Sequence, residues 1–573
     1  MRDDGYSPLN NSKACVRLAL INLAGKEIFV TQKNILFIML DQLRADALSC
    51  YGNSVVDTPN IDRLADKGVK FNRCYVQGTS CGNSRASYYT GRHVRSHGAT
   101  WNGWPNRVDE LTLADHLAAC GMSTTLMGKT HMKPDFSGMR RLGLEPQSEL
   151  GRFLSNAGFS QGEHDDGLHT VGVAGDYGKG TPAYFDYLRK QGYEAINPWT
   201  NWANAMEDES GVLRNGMFLK HGHLPARVDR AHSETAYTTD RAIEMMQHMG
   251  HQNWCLHVSY IKPHWPLAAP APYHQMYRGV DLPQASKCES QKHNAHPIYK
   301  AFMALPQSQT YAQDDYRNHA LPTYYGLVKE IDDNLGRLFA SLEKQGQDKH
   351  TMIVLTSDHG DFFGDHWLAE KDLFHDVVTR VPLLIMDPSP EANSTRGSEC
   401  DQLVCAIDLV PTFVDWAGGQ PQWNWLEGQS LVPVLHKNTA FDRDCVVSEC
   451  DYGVMGFAKQ LGRTRDNARM TMLYDGRYKY VHCLGFKPMF FDLQEDPQEF
   501  SDLGRDEGYA AIRGQLSEQM LDWSAGLKNR VTVSQETFGQ REGKAGEVGI
   551  LIGYWQQEDV PKALQLEPEV PLK

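Results

Sequence analysis

The 573-residue chain is poor in cysteine, lacks long apolar runs and carries no basic excess. Its 12 cysteines include no C-x-x-C pair, the nearest spacings being Cys400 with Cys405 and Cys445 with Cys450. That excludes a disulfide scaffold and a zinc ribbon, and mostly free thiols in a reducing compartment are expected. No stretch approaches the ~20 apolar residues of a membrane span. The mildly apolar residues 14–25 are broken by Arg17 and preceded by Asp3 and Asp4, which argues against a secretory leader. The expectation is a soluble cytoplasmic protein with no membrane partner. With 57 basic against 71 acidic residues the net charge is −14, which argues against non-specific nucleic-acid binding, since phosphates need a basic face. A local cationic pocket for an anionic substrate stays open. Internal repeats are missing too, which removes solenoids and propellers.

What is present is α/β rhythm. NILFIML (34–40) is an unbroken apolar run ending in Asp41, as in a strand buried on both faces of a parallel sheet. Thr58-Pro59 opens a helix that Gly68 closes, and a strand over 69–76 follows. Helices over 112–120 and 234–249 alternate with strands over 123–127 and 254–260. The longest helix is expected from Thr323 to Gln345, leading into strand TMIVLTS (351–357) and Asp358. Beyond about residue 440, MTMLY and RYKYVH flank Asp475-Gly476, a type I′ hairpin signal, and MFFDL follows. The expected organisation is an N-terminal extension (1–30), a catalytic α/β domain with a central mostly parallel sheet flanked by helices (31–440), a smaller C-terminal α+β domain of antiparallel sheet plus helix (441–530), and an arm (531–573) carrying VGILIGYW. Residues 130–230 and 265–320 lack periodicity and read as insertion loops around a site.

Ligands of open parallel sheets bind at the carboxyl ends of the strands. Two of the most apolar strands end in Asp41-Gln42 and Asp358-His359. A lone Asp after a strand is usually a turn or cap, but two such pairs together form a candidate centre for one divalent ion. The amide oxygen suits Ca²⁺ and the imidazole favours Mn²⁺. In TSCGNSRASYYTGRH, Cys81 opens a helix-like stretch with Arg85 four residues on, where a thiol of lowered pKa would be a nucleophile and a buried small residue is the plainer alternative. Composition does not choose between them.

These residues carry a resemblance to the sulfatases of the alkaline phosphatase superfamily, whose signature is C-x-P-S-R followed by x-x-x-x-T-G-R. Here it reads Cys81-Gly82-Asn83-Ser84-Arg85, ASYY, Thr90-Gly91-Arg92. NILFIMLDQLRAD, TPNIDRLADKGVKFNRCY, LMGKTHMKPD, SYIKPHWPLAAPAPYHQMY, LTSDHGDFFGDHWLAEKDLFHD and FFDLQEDPQEFSDL extend it, in order, over nearly the whole chain. The DQ pair, APYHQMY and the long C-terminal part look most like the branch of phosphonate monoester hydrolases and related arylsulfatases.

The resemblance implies an alkaline phosphatase-like fold and hydrolysis of sulfate monoesters through a covalent sulfo-enzyme intermediate. Cys81, oxidised to formylglycine by a formylglycine-generating enzyme, matches the nucleophile, and Arg85 the arginine that would hold its diol. Asp41, Gln42, Asp358, His359 and the modified Cys81 match the metal ligands. Lys129 and His131 match a Lys-x-His pair typical of sulfatases, where phosphonate hydrolases carry other residues. His264 matches the group that protonates the leaving oxygen, Lys371 a lysine near that oxygen, and Asn102 a substrate contact. A small anionic ester is the implied substrate and a homo-oligomer, up to a tetramer, the implied assembly. A phosphonate monoester or phosphodiester hydrolase with the same centre, or a scaffold that lost its chemistry, are the rival readings. One departure stands out: Asn83 occupies the signature proline position, so conversion of Cys81 and use of the unmodified thiol both stay open. His257, His366, His375 and Lys262 are read as ordinary packing or loop residues.

Overall fold

The computed structural model describes residues 32–167, 182–437, 439, 443–542 and 552–565. Strand β1 (Asn34–Asp41) is buried along its whole length. Its side chains alternate between two cores, Leu36, Ile38 and Leu40 on one face and Ile35, Phe37 and Met39 on the other. This is why the run reads as continuously apolar rather than alternating.

The other strands of its sheet are β2 (Val69–Tyr75), β3 (Ser123–Gly128), β4 (Ser160–His164), β5 (Trp254–Pro263), β6 (Thr351–Ser357), β7 (Arg380–Met386), β8 (Ser398–Cys400) and β9 (Val404–Cys405). Their order is β8-β2-β7-β6-β1-β5-β3-β4, with β9 also on β2. All neighbours are parallel except at β7, which runs against both β2 and β6. The expected mostly parallel α/β sheet is therefore present. β7 is not legible in the sequence because Pro382 interrupts it. The register of β2 shifts between Phe71 and Cys74, opposite the proline, which has no N–H to give to a ladder.

Helices α1 (Pro59–Lys67), α3 (Glu234–Met249) and α4 (Asp314–Lys344) cover one face of the sheet, and α2 (Cys81–Thr90) lies on the other. The expected start of α4 at Thr323 is corrected to Asp314, with Pro322 inside the helix. Asp314 and Asp315 favour the first turn, and Arg317 anchors it by donating to the carbonyls of Phe363 (3.0 Å) and Pro283 (2.8 Å). The expected insertion loops contain short helices, among them Phe136–Arg141 and Glu149–Ser155, capped by the Asp135 and Ser148 side chains. Six or seven residues make fewer than two full turns, too few to show a 3.6 period.

The C-terminal antiparallel sheet has the order β10 (Val446–Asp451), β11 (Arg469–Tyr474), β12 (Tyr478–Cys483), β13 (Met489–Asp492). Helix α5 (Ala510–Gly526) packs Leu516 and Met520 on Val447, Leu473, Tyr480 and Phe490. The opposite face meets Tyr75, Phe362, Phe374 and Val378 near the main sheet. The hairpin falls where expected, but its turn is not type I′. Asp475 N–H bonds the Tyr478 carbonyl, so the central residues are Gly476 and Arg477, and of these Gly476 has positive φ, 103°. Glycine at the first central position is what a type II′ turn requires. The expected N-terminal extension and the first half of the apolar stretch of the arm lie outside the described residues. Among the described residues no helix is long and apolar enough to cross a membrane.

Candidate active site

The carboxyl ends of β1, β3, β5 and β6 lie side by side in the sheet and deliver Asp41-Gln42, Lys129, His264 and Asp358-His359 to one edge. Helix α2 begins at this edge with Cys81 as its first residue, and Arg85, one turn on, lies beneath it.

The buried Cys81 Sγ is 3.2 Å from His359 Nε2, 3.2 Å from Lys371 Nζ and 3.7 Å from Asp41 Oδ1. Burial alone would raise the thiol pKa, but the charges of Lys129, Lys371 and His359, with a hydrogen bond from His131, hold it well below its usual value. Asp41 is held down at about 2, burial and Cys81 opposing and Lys129, His264 and Arg85 prevailing. Lys129 forms a close buried ion pair with Asp41 Oδ2.

Arg85 has no contact with the sulfur other than electrostatic. It donates to Asp358 Oδ2 (2.8 Å), Ser259 Oγ (2.7 Å) and the Lys129 carbonyl (3.0 Å), and reaches Asp41 Oδ2 at 3.5 Å. It thus ties both carboxylates to the start of the segment carrying Lys129 and His131.

The donor atoms of Asp41, Cys81, Asp358 and His359 lie within 4.8 Å of one another. His359 Nδ1 donates to the Gly360 carbonyl at 2.8 Å, which turns Nε2 towards the other donors. Burial would lower the His359 pKa, but the Asp358 carboxylate together with Cys81 raises it to about 9. Gln42 has positive φ, 64°, and gives its backbone N–H to Asp358 Oδ1. Its Nε2 donates to Asp361, so Oε1 faces inward, 3.0 Å from Lys371 Nζ. Two carboxylates, an inward amide oxygen, an oriented imidazole and a sulfur position fit a hard or borderline divalent cation.

The remaining expected residues surround this core. His131, with φ of 54°, accepts no bond at its buried Nδ1, and its backbone N–H donates to Asp166 at 2.8 Å. His264 donates from Nδ1 to the Trp265 carbonyl at 2.6 Å, leaving Nε2 open. Its backbone N–H reaches the Asp41 carbonyl at 3.2 Å. Asn102 Oδ1 accepts the Gly82 N–H at 2.7 Å. A Cβ on Gly82 would lie 2.8 Å from Asn102 Cα, so the close approach requires glycine. Asn83 completes a capping box with Ser80 at the start of α2.

A family model described as Sulfatase matches residues 33–161 and 144–419. The chain belongs to the sulfatase family. The model for the C-terminal part of N-sulphoglucosamine sulphohydrolase matches residues 364–526 of this sulfatase. The chain is 32% identical over 519 residues to the multifunctional alkaline phosphatase superfamily protein PehA of Trinickia caryophylli, covering 86% of this chain and 95% of that one. It is 25% identical to an arylsulfatase of Clostridium perfringens, covering 91% and 98%. Among solved structures, the phosphonate monoester hydrolase from Silicibacter pomeroyi superposes with a TM-score of 0.75 at 27% identity, covering 88% of this sulfatase and 98% of that chain. The alkaline phosphatase-like fold is thus in place.

Asp361, Ser259 and Asp372 are site residues that sequence reasoning missed. Asp361 sets the Gln42 amide, and burial together with Glu370 raises it to about 6. Asp372, with φ of 85° and a buried, unbonded Oδ1, is raised to about 7 by burial against the opposing charges of Lys371 and His359. Asp361 stands three residues after Asp358 in SDHGD, a spacing that carried the signal. Ser259 gives none, being a small residue inside an apolar strand.

Proposed function

We propose that this sulfatase hydrolyses small sulfate monoesters, aryl esters among them, with an oxygen nucleophile on Cys81 after its conversion to formylglycine by a maturation enzyme. The observation that carries the reading is the density of donors around Cys81: Lys371 Nζ at 3.2 Å from Sγ, Lys129 on Asp41, and His131 and Asn102 nearby. A sulfate monoester has three non-bridging oxygens to place against such donors. A phosphonate monoester has two and an apolar carbon.

Asp41, Gln42, Asp358 and His359, with the modified Cys81, would hold one divalent ion, Ca²⁺ or Mn²⁺, whose chemistry is to stabilise an anionic nucleophile and the charge of the transferring group. The chain's own residues do the rest. Arg85 pairs with both carboxylates and fixes them in place. Lys129 and Lys371 neutralise the substrate anion, and Asn102, its Oδ1 committed to Gly82, offers Nδ2 to a substrate oxygen. His131 takes a proton from the nucleophile side, and His264 Nε2 delivers one to the leaving oxygen. The free thiols among the described residues support a reducing, cytoplasmic setting.

A phosphonate monoester or phosphodiester hydrolase is the second reading, favoured by the likeness to the Silicibacter pomeroyi enzyme and to a relative named as multifunctional. Matched aryl sulfate and aryl phosphonate esters, compared by kcat/KM, separate the two: sulfate turnover should lead, and a clear phosphonate preference overturns the first reading. The mass of the Cys81 peptide, from protein made with and without a formylglycine-generating enzyme, tests the nucleophile. Unmodified cysteine with full activity refutes it.

A further inference from the structure

We propose that Lys262, buried at the end of β5, is a positioning residue that holds the leaving-group acid His264 in place. The inference rests on the reading of His264 as that acid. All ten residues of β5 are buried, and the strand runs out into Lys262-Pro263-His264-Trp265-Pro266. The Lys262 ammonium folds back over this segment and donates to the Pro266 carbonyl at 2.8 Å, so lysine and carbonyl close a ring of chain with His264 at its middle. It also donates to Asn204 Oδ1 at 3.1 Å and pairs with Glu234 Oε2 at 3.8 Å.

An ammonium has three N–H donors; two are bonded, to the Pro266 carbonyl and Asn204 Oδ1, and Glu234 at 3.8 Å balances the charge. Buried and held by these partners, Lys262 acts through the segment it closes. The imidazole itself is bonded only at Nδ1, to the adjacent Trp265 carbonyl, so its direction follows the path of the backbone between residues 262 and 266.

The surroundings are built to keep a charge there. Lys262 is 5% exposed, and burial of an ammonium is costly without partners. Glu234, at the start of α3, accepts the Trp199 Nε1–H at 2.6 Å, and Glu330 of α4 accepts the Ser233 hydroxyl. Burial pushes Lys262 down, with Glu234 and Glu330 opposing, and pushes Glu330 up to about 7. A solvated lysine would have been the cheaper choice, and a ring closed from beneath His264 is what the buried one provides.

The test is a leaving-group series of aryl sulfates, read as kcat/KM, for Lys262→Met, His264→Ala and the double variant. An acid matters most for a poor leaving group, and displacement of a catalytic group by about 1 Å can cost on the order of 10²-fold. Lys262→Met should therefore lose on the order of 10²-fold on the poorest leaving group and less than about three-fold on the best. His264→Ala should show the same pattern, and the double variant should be no worse than His264→Ala. Equal loss across the series, or losses that multiply in the double variant, overturn the proposal. Where Lys262→Met does not fold, Lys262→Gln, a neutral donor of similar reach, goes through the same series, and the same two results overturn the proposal. If His264→Ala leaves the leaving-group dependence unchanged, the assignment of His264 as acid fails, and the inference built on it falls with it.

Discussion

Asn83 stands where the family signature has proline, and the structure shows what it does there instead. Its Oδ1 accepts the Ser80 backbone N–H at 3.0 Å and the Ser80 hydroxyl at 3.1 Å, while Nδ2 donates to the Thr100 carbonyl at 3.2 Å. A Cβ on Gly78 would come within 2.4 Å of Asn83 Oδ1, so the amide packs directly on the glycine. Asn83→Ala leaves the buried Ser80 N–H without a partner, a penalty of about 1–3 kcal/mol. Loss of the Thr100 bond adds to it, for a total of about 2–3 kcal/mol. Asn83→Pro loses the same bonds and also the Asn83 backbone N–H that the Ser80 side chain accepts in the capping box, and the roughly 0.4–1 kcal/mol from a stiffer unfolded chain does not outweigh that loss, so it should be no more stable than the alanine variant. Urea unfolding at constant slope measures the order directly. Conversion of Cys81 to formylglycine, read by peptide mass, should move the other way, with the proline variant converted at least as completely as wild type. An alanine variant within about 0.5 kcal/mol of wild type, or a proline variant clearly more stable than the alanine one, refutes the capping account.

Arg85→Met removes the partner of two buried carboxylates and should cost on the order of 3–5 kcal/mol in metal-free protein, with part of the loss restored by Ca²⁺; denaturation with and without the ion measures both. Exhaustive chelation should abolish activity, and titration back with Ca²⁺ and Mn²⁺ separately identifies the ion by which one restores it. His257 lies buried, bonded to the Phe37 carbonyl and Tyr89 hydroxyl, and burial pushes its pKa down to about 3 from 6.5. The folded value lies below the unfolded one, so its contribution is complete above 6.5 and is lost as pH falls through 6.5. Relative to His257→Gln, wild type should lose about 1.4 kcal/mol between roughly pH 7.5 and 5.5, and parallel pH profiles would refute a neutral His257.

The fold was legible wherever burial leaves a mark on composition. β1 and β6 read as strands because both faces are covered, and α1 because Thr58, Pro59 and Gly68 punctuate it. Of the residues brought to the sheet edge, Asp41-Gln42 and Asp358-His359 were legible because strand ends carry polar residues against an apolar background, whereas Lys129 and His264 were legible only through the resemblance to the family. What failed to show was decided by tertiary partners: β7 with its proline matched to a register shift in β2, the first turns of α4 pinned by Arg317, and the hairpin whose central pair slipped by one residue. Lys262 shows the limit most clearly. Its sequence neighbours suggest an ordinary loop lysine, and only Asn204 and Glu234, 58 and 28 positions away, reveal a buried clip.

Charge accounting at the site bears on substrate choice. The carboxylates Asp41 and Asp358 face the cations Arg85, Lys129 and Lys371, the last also 3.9 Å from Glu370, before any metal is counted. A divalent ion adds two positive charges, which favours an anion beside the modified Cys81. Sulfate and phosphonate monoesters are both monoanions, and charge alone does not separate them. Discrimination must then come from what faces the third position on sulfur or phosphorus, an oxygen in one case and a carbon in the other. An unpaired buried donor costs about 1–3 kcal/mol, so a carbon placed against His131 or Lys129 should lose roughly 5- to 150-fold relative to oxygen. Replacing Lys129 and His131 together with apolar residues of similar size should erase that margin and bring the two kcat/KM values together, whereas an unchanged ratio would place the discrimination elsewhere in the pocket.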